Sequence, residues 1–324
     1  MSVALPLVVA DRLTKFFPLS RGRQIHAVDN VTLTIHEREV VGLVGESGSG
    51  KSTLGKTLIG LHAKTSGAVS YRAEALPQRY QAKDFRRWAK KAQMIFQDPY
   101  SSLNPRMTVG EIVGEGLKLH SAYSATEIRD RAGDWLKRVG LEPDHMSRYP
   151  HEFSGGQRQR IGIARALILE PEFVVCDEPI SALDVSVQAQ VVNLLDELKA
   201  SMGLTLLFIA HDLSMVRYVS DRMAVMYLGV LVEVGPASDV FFNPKHPYTR
   251  ILVASNPEPD PRRERHRRSA TITGEIPSPV DVPPGCRFAG RCPKVMEVCR
   301  SESPRLLPLA DAPERLVACH LFTT

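Results

Sequence analysis

The sequence has no long apolar run. None of its 324 residues falls in a stretch that approaches the ~18 apolar residues of a membrane-spanning helix, although 43% are hydrophobic. The N-terminal apolar run, residues 3–10, is interrupted by Pro6 and has no preceding lysine or arginine, so it is a poor signal peptide. These absences argue against a channel and a secreted protein. We expect a globular protein that stays in the cytosol, long enough for a large α/β domain and a smaller appendage.

Cysteine is scarce, and none of the five cysteines forms a CxxC pair of the kind common in zinc sites. A cytosolic location also argues against a disulfide framework, and ferredoxin-type spacings are absent. Cys176 lies in a short apolar run and is expected to be a small buried side chain. The others lie near the C-terminus: Cys286, Cys292, Cys299 and Cys319. Their spacing alone does not distinguish metal binding from free thiols.

Positive charges only slightly outnumber negative ones, with a formal net charge of +5 and an isoelectric point near 9.0. Much of the basic excess lies in one tract, residues 262–268, which has no interleaved aromatic side chains. Such a tract more often forms a solvated linker than a nucleic-acid patch. We therefore expect no nucleic-acid partner.

A glycine-rich loop lies between an apolar strand at residues 40–44 and a helix at residues 51–61. At such a turn, glycines let main-chain N–H groups converge on phosphate oxygens, and the helix N-terminus adds partial positive charge. Lys51 would reach the β- and γ-phosphates, the Ser52 hydroxyl would bind Mg²⁺, and Thr53 would support both. The loop residues are Gly45, Glu46, Ser47, Gly48, Ser49 and Gly50, followed by Lys51 and Ser52.

A second anion site is predicted at the start of a helix over residues 157–169. Ser154 and Gln157 have capping-box spacing. The intervening Gly155 and Gly156 should therefore present N–H groups to an anion. Taken alone, the segment could equally be an ordinary capped helix.

A pair of acidic residues follows the apolar run at residues 173–176, which predicts a buried strand. At the end of this strand, Asp177 would hold Mg²⁺ through water, and Glu178 would orient and deprotonate an attacking water. An acidic pair at a strand end is often only a solvated turn. The glycine-rich loop earlier in the chain favours the catalytic interpretation.

The arrangement of apolar segments predicts an α/β fold. Strands are expected at residues 7–17, 27–35, 92–96, 173–176, 204–209 and 223–227. The first two read as an antiparallel β-subdomain, and the later ones as a mostly parallel sheet. Residues 106–149 show no strand pattern, so we predict a helical subdomain at about residues 100–165. Prolines become frequent after Asn256, so we place a main domain at 1–255 and a small cysteine-containing extension at 256–324.

Six motifs follow one another along the chain: the P-loop at 45–52, Gln97, residues 153–157, residues 173–178, residues 181–184 and His211. In this order they resemble the P-loop, Q-loop, signature, Walker B strand, D-loop and switch histidine of the ATP-binding cassette ATPases. The resemblance extends over residues 7–250. It implies a P-loop NTPase core that binds ATP and Mg²⁺ and hydrolyses the nucleotide.

The resemblance also implies roles for individual residues. Gln97 would complete the Mg²⁺ shell and sense the γ-phosphate, and His211 would contact the γ-phosphate. Phe17 aligns with the aromatic residue that stacks on adenine, although it could equally be a core residue. The catalytic set is then Lys51, Gln97, Glu178 and His211.

Cassette ATPases close ATP between the P-loop of one subunit and the signature of another, so the resemblance implies a dimer. Ser154, Gly155, Gly156, Gln157 and the D-loop residue Asp184 would then bind nucleotide held by the other subunit. Closure on ATP and reopening after hydrolysis would drive a partner. Whether the second ATPase is identical or only homologous stays open.

Three further segments resemble the ATPases of dipeptide and oligopeptide importers: residues 98–106, 246–249 and 274–279. This resemblance implies two transmembrane permease subunits as partners, a solute-binding protein that acts indirectly, and a peripheral position on the cytoplasmic face of the inner membrane. Related importers for nickel or opines are the alternative. A non-transport ATPase acting on nucleic acid and a non-catalytic scaffold are less favoured.

Residues 284–299 resemble the extension of these importers, in which some members hold a [4Fe-4S] cluster on four cysteines. The resemblance implies such a cluster on Cys286, Cys292, Cys299 and Cys319. A cluster of this kind would stabilise a short, proline-rich segment that has little core of its own. A zinc site, with or without His320, and free thiols stay as alternatives.

Overall fold

The computed structural model describes residues 5–181, 183–255 and 277–322. It separates into two compact units: unit 1 combines the described residues up to Gln78 with those from Ala210 onward, and unit 2 runs from Arg79 to Ile209. The basic tract at 262–268, Ala182 of the D-loop and residues 274–276 lie outside the described residues. The domain boundary between residues 255 and 256 stays a prediction.

The described strands agree with the predicted positions and add several more. They are β1 (Pro6–Pro18), β2 (Gln24–His36), β3 (Val40–Val44), β4 (Ser66–Tyr71), β5 (Glu74–Ala75), β6 (Ala92–Ile95), β7 (Phe173–Asp177), β8 (Thr205–Ile209), β9 (Arg222–Tyr227), β10 (Val230–Pro236), β11 (Leu307–Leu309) and β12 (Ala312–Val317).

The described α-helices are α1 (Lys51–Leu58), α2 (Ala82–Trp88), α3 (Pro99–Ser102), α4 (Val109–His120), α5 (Ala125–Arg138), α6 (Gly155–Leu167), α7 (Val185–Met202), α8 (Leu213–Val219), α9 (Ala237–Phe242), α10 (Pro247–Ala254) and α11 (Val298–Ser301). Short 3₁₀ turns lie at Ser20–Gly22, Pro143–Ser147, Pro150–Glu152 and Ala289–Arg291. Within the described ranges, every helix is too short or too polar to cross a bilayer.

Unit 1 contains two sheets. The first has the order β2-β1-β4-β5 with antiparallel neighbours, which confirms the predicted N-terminal β-subdomain. The second has the order β11-β12-β10-β9-β3, in which β3 and β9 are parallel and the remaining pairs are antiparallel. All five residues of β3 are buried, which explains why this strand is a continuous apolar run.

Unit 2 combines a parallel three-stranded group, in the order β8-β7-β6, with the predicted helical insertion. Within residues 106–149 the structure has helices α4 and α5 and no strand. Capping boxes explain where both helices begin: Thr108 pairs with Glu111 at the start of α4, and Ser124 pairs with Glu127 at the start of α5. The α/β class with a helical subdomain is therefore confirmed.

The extension continues the second sheet of unit 1. Strand β12 pairs with β10, and its Arg315 donates a hydrogen bond to Glu233 on β10 at 2.8 Å. Glu233 is fully buried and Arg315 is 4% exposed, while the Glu233 carboxylate also accepts from the N–H groups of Lys245 and His246. A buried carboxylate with a cationic partner and two amide donors is a stable arrangement only while all three are present.

We expect the Arg315→Met substitution to destabilise the protein by about 3–5 kcal/mol, because it leaves the buried carboxylate of Glu233 without its cation. The measurement is the melting temperature of the full chain. Arg305→Met, at an exposed arginine of the extension, is the matched control and should change the melting temperature little. Equal melting temperatures for wild type and Arg315→Met would contradict a structural role for the pair.

Candidate nucleotide site

The P-loop lies in unit 1 between β3 and α1, where the sequence predicts it. Lys51, which is 5% exposed, donates from Nζ to the carbonyl oxygens of Gly45 (2.8 Å) and Glu46 (3.0 Å). The carbonyl oxygen of Glu46 also accepts from the N–H of Ser49 at 3.2 Å, and the Ser49 carbonyl accepts from the Gly229 N–H at 2.8 Å. These bonds hold the loop in a tight turn at the positive end of the α1 dipole.

Gly50, the cap residue of α1, shows why the loop needs glycine. Its φ is +105°, and a Cβ atom at this position would lie 2.0 Å from the carbonyl oxygen of Ala27 and 2.9 Å from the Met226 side chain. Any other residue at this position would therefore push the loop away from the main chain of Ala27. The same turn and the first residues of α1 hold the remaining candidates: Ser47, Gly48, Ser52 and Thr53.

Phe17 is half-buried near the end of β1, also in unit 1. Its ring meets His62 edge-on, with 5.4 Å between the centroids, and Lys15 Nζ lies 4.6 Å from the ring centre. Burial, followed by the charges of Lys15 and Lys56, lowers the pKa of His62 and favours its neutral imidazole. Phe17 thus combines partial exposure with ordered neighbours, which are the properties that a stacking residue requires.

Gln97 and Glu178 meet in unit 2. Gln97 Nε2 donates to Glu178 Oε2 at 2.9 Å, because β6 and β7 are parallel neighbours and both residues follow the carboxyl ends of these strands. Asp177, the last residue of β7, is 2% exposed. Glu178 has a φ of 45°, a left-handed conformation that costs a non-glycine residue about 1–3 kcal/mol.

The predicted capping box before α6 is present. Ser154 Oγ accepts from the Gln157 N–H at 3.3 Å, and Gln157 Oε1 accepts from the Ser154 N–H at 3.0 Å. Gly156 lies against α7, where an added Cβ atom would come within 2.5 Å of Val187. Gly155 is the first residue of α6, so the Ser-Gly-Gly segment lies at the N-terminus of a 13-residue helix.

The D-loop and the switch histidine follow neighbouring strands. Ser181 Oγ donates to the Glu178 carbonyl oxygen at 3.2 Å, and Asp184 occupies the cap position of α7. His211 lies between β8 and α8, next to Asp212, whose side chain caps α8. The candidates divide between the units: Phe17, Gly45–Thr53 and His211 belong to unit 1, and Gln97, Ser154–Gln157, Asp177, Glu178 and Asp184 belong to unit 2.

The cysteines of the extension lie near one another in unit 1. The Cys286 N–H donates to the Cys299 carbonyl oxygen at 2.8 Å. Burial, with smaller contributions from Cys299, Cys319 and Cys292, raises the pKa of the Cys286 thiol to about 11. However, no three His, Cys, Asp or Glu side chains among the described residues are arranged to hold a metal ion. The described residues therefore show no assembled site for the iron–sulfur cluster or for zinc.

The side chains of Tyr248 and Arg291, both outside the predicted set, form hydrogen bonds with Glu46 of the P-loop. Tyr248 Oη accepts a hydrogen bond from the Glu46 N–H at 2.9 Å, and Arg291 donates to both carboxylate oxygens of Glu46 at 2.8 and 3.0 Å. In the sequence, segment 246–249 was noted only because it resembles the ATPases of dipeptide and oligopeptide importers, and no contact with the P-loop was predicted for it. Arg291 carries no local signal, since one arginine in an extension has no pattern that marks its partner.

A glycine-rich loop before a helix, a buried strand that ends in an acidic pair, and a capped Ser-Gly-Gly helix define a P-loop ATPase. Two family models match the chain: ABC transporter over residues 28–181, and oligopeptide/dipeptide transporter, C-terminal region, over residues 232–299. The chain belongs to the ABC transporter family and is an ATPase of its oligopeptide-transport group.

Several known proteins are similar over nearly the whole chain. YkfD of Bacillus subtilis is 54% identical over 98% of this chain and 96% of its own length. The oligopeptide transport ATP-binding protein OppF of Salmonella typhimurium is 50% identical over 93% of this chain and 92% of its own. Among solved structures, the ATP-binding cassette MJ0796 bound to ADP and phosphate is 30% identical, with a TM-score of 0.66 over 71% of this chain and 99% of its own.

Proposed function

We propose that the chain is the ATP-hydrolysing subunit of a membrane importer for dipeptides and oligopeptides. One observation supports this substrate class most strongly: a cassette region and an oligopeptide/dipeptide transporter C-terminal region occur in the same chain. The relatives named as oligopeptide transport ATP-binding proteins match both regions, because each alignment covers more than nine-tenths of the chain.

In this proposal the residues of unit 1 bind ATP. The P-loop amides and Lys51 hold the β- and γ-phosphates, Ser52 binds Mg²⁺ through its hydroxyl, and Phe17 stacks on the adenine. The glycine-dependent turn at Gly50 and the buried position of Lys51 support this assignment. His211 contacts the γ-phosphate and stabilises the charge that develops during transfer.

The residues of unit 2 supply the hydrolytic chemistry. Mg²⁺ neutralises charge on the phosphates when it is bound, and Gln97 and Asp177, the latter through water, would complete its ligand set. Glu178 orients the attacking water and accepts its proton. The hydrogen bond between Gln97 and Glu178 supports this role, because it links a residue that would bind Mg²⁺ and sense the γ-phosphate to the base in the same unit.

The Ser154–Gln157 segment and Asp184 act on nucleotide held by a second ATPase subunit. The capped helix N-terminus at Ser154 suits a γ-phosphate, since its N–H groups carry partial positive charge. Closure around ATP and reopening after hydrolysis then move two permease subunits that contact the helical subdomain. A solute-binding protein delivers the peptide, and the ATPase acts peripherally at the cytoplasmic face of the inner membrane.

We expect Glu178→Gln to lower ATP hydrolysis by at least about 100-fold while ATP still binds and the dimer stays closed, because the glutamine keeps the shape but cannot accept a proton. The measurements are ATP turnover in the assembled transporter and nucleotide retention after gel filtration. Glu197→Gln, at an exposed glutamate of α7, is the control and should turn over normally. Normal turnover by Glu178→Gln would refute its assignment as the base.

The peptide substrate is tested in the reconstituted transporter. We expect a peptide-loaded binding protein to stimulate ATP turnover by at least about threefold over the unloaded protein, because solute-dependent closure couples the two sites. A nickel-loaded or opine-loaded binding protein should give no stimulation. Stimulation by nickel or an opine, without a response to peptides, would contradict the peptide assignment and leave the ATPase assignment intact.

We also propose that the four cysteines of the extension hold a [4Fe-4S] cluster. The proximity of the cysteines in unit 1 supports this proposal, because the Cys286 N–H donates to the Cys299 carbonyl oxygen at 2.8 Å, and Cys299, Cys319 and Cys292 each contribute to the raised pKa of the Cys286 thiol. Four thiolates are the donor set that such a cluster takes. The described side chains lack a preformed arrangement for a metal ion, so the ligands would have to move on binding.

We expect anaerobically purified protein to be brown and to contain iron and acid-labile sulfide at about four atoms of each per chain. Cys299→Ser should lower both contents, since it removes one ligand. Cys176→Ala is the control, because Cys176 is fully buried in β7 and far along the sequence from the other cysteines. Colourless wild-type protein without iron would count against the cluster.

A further inference from the structure

The P-loop contains one acidic residue, Glu46, in a loop that has to bind a polyphosphate. A carboxylate repels phosphate oxygens, and the repulsion between like charges at short range is stronger away from bulk water. A favourable site therefore needs this charge to be neutralised and held in place. Among the described residues, the Glu46 carboxylate forms an ion pair with Arg291, which lies outside the loop and outside the cassette region matched at residues 28–181.

The cation comes from the extension. Arg291 Nη1 and Nη2 donate to the two carboxylate oxygens of Glu46 at 2.8 and 3.0 Å, the two-pronged geometry in which arginine binds carboxylates most strongly. The Arg291 side chain is 6% exposed and that of Glu46 is 17% exposed. Because both groups are shielded from water, solvent screens their pairing far less than it would screen a surface ion pair.

An aromatic cluster holds Arg291 in position. Arg291 Nη1 also donates to Tyr227 Oη at 3.2 Å, and the Tyr227 ring packs against Tyr248 and Phe288 with centroid distances of 4.6 and 5.3 Å. Phe288 is 1% exposed and precedes Arg291 by one 3₁₀ turn. Tyr248 provides a second contact with the P-loop, because its hydroxyl oxygen accepts a hydrogen bond from the Glu46 N–H. Main chain and side chain of Glu46 are therefore both held from outside the loop.

We propose that Arg291 is a positioning residue of the ATP site: from the C-terminal extension it neutralises Glu46 and holds the P-loop in the form that accepts the triphosphate. The proposal rests on the ATPase assignment alone and does not depend on the transported solute or on the cysteines. It makes the extension a part of the nucleotide-binding machinery.

The test measures the KM and kcat of ATP hydrolysis by the assembled transporter. We expect Arg291→Gln to raise the KM for ATP about tenfold and to change kcat by less than about threefold, because the uncompensated Glu46 charge opposes phosphate binding. Arg291→Lys keeps the charge without the two-pronged contact and should give a smaller rise. If Arg291→Gln fails to fold, the KM of Arg291→Lys provides the test.

A double-mutant cycle separates charge compensation from simple docking of the extension. If Arg291 acts on the Glu46 charge, Arg291→Gln combined with Glu46→Gln should have the KM of Glu46→Gln alone, since no carboxylate is left to neutralise. Effects that add up in the double variant would overturn the proposal. The proposal would also be overturned if Arg291→Gln lowered the melting temperature but left the KM for ATP unchanged.

Two further arginines of the extension serve as controls. Arg287 anchors the same segment through Asp29 and the Leu228 carbonyl oxygen, so Arg287→Gln should lower the melting temperature without the rise in KM. Arg305 is exposed, so Arg305→Gln removes the same charge without affecting either quantity. A tenfold rise in KM for either control would show that docking or net charge, rather than the contact with Glu46, governs ATP binding.

Discussion

The nucleotide site depends on a short loop kept in one conformation at the N-terminus of α1. Phosphate binding there uses main-chain N–H groups, which act together only if the loop does not rearrange. The structure fixes this loop from several sides: Lys51 bonds two of its carbonyl oxygens, Gly50 fits against Ala27, and Tyr248 and Arg291 hold Glu46. An anion site made of main chain therefore requires buried side chains drawn from distant parts of the sequence.

The sequence predicted the elements whose signals are local. The apolar run of β3, the capping box at Ser154 and the acidic pair after β7 each lie within a few residues, and each appears where it was expected. The family resemblance implied a role for Gln97 and the residues implied one for Glu178, but their contact was not predicted; it follows from the parallel pairing of β6 and β7. Their proposed roles stay predictions, because geometry alone does not show chemistry.

The parts that were missed depend on contacts between distant residues. Arg291 lies 245 positions from Glu46, and Tyr248 lies 202 positions from it, so no window of sequence contains either pair. Strands β11 and β12 were not predicted because prolines and charged residues obscure their alternation; they become strands only because β12 pairs with β10 and β11 pairs with β12. The four cysteines of the extension differ from both groups, since the resemblance implied a metal geometry that the described residues do not display and that stays a proposal.

The way the extension joins the sheet also bears on aggregation. With β12 in place, the edge strand at this end of the second sheet is β11, which has three residues and contains Pro308. A short strand interrupted by proline offers few main-chain groups to another molecule. Strand β10, by contrast, is seven residues long and rich in valine. By pairing with Glu233 and Val234 of that strand, the extension reduces the length of edge at which this sheet could pair with another molecule, a consequence independent of nucleotide or transport.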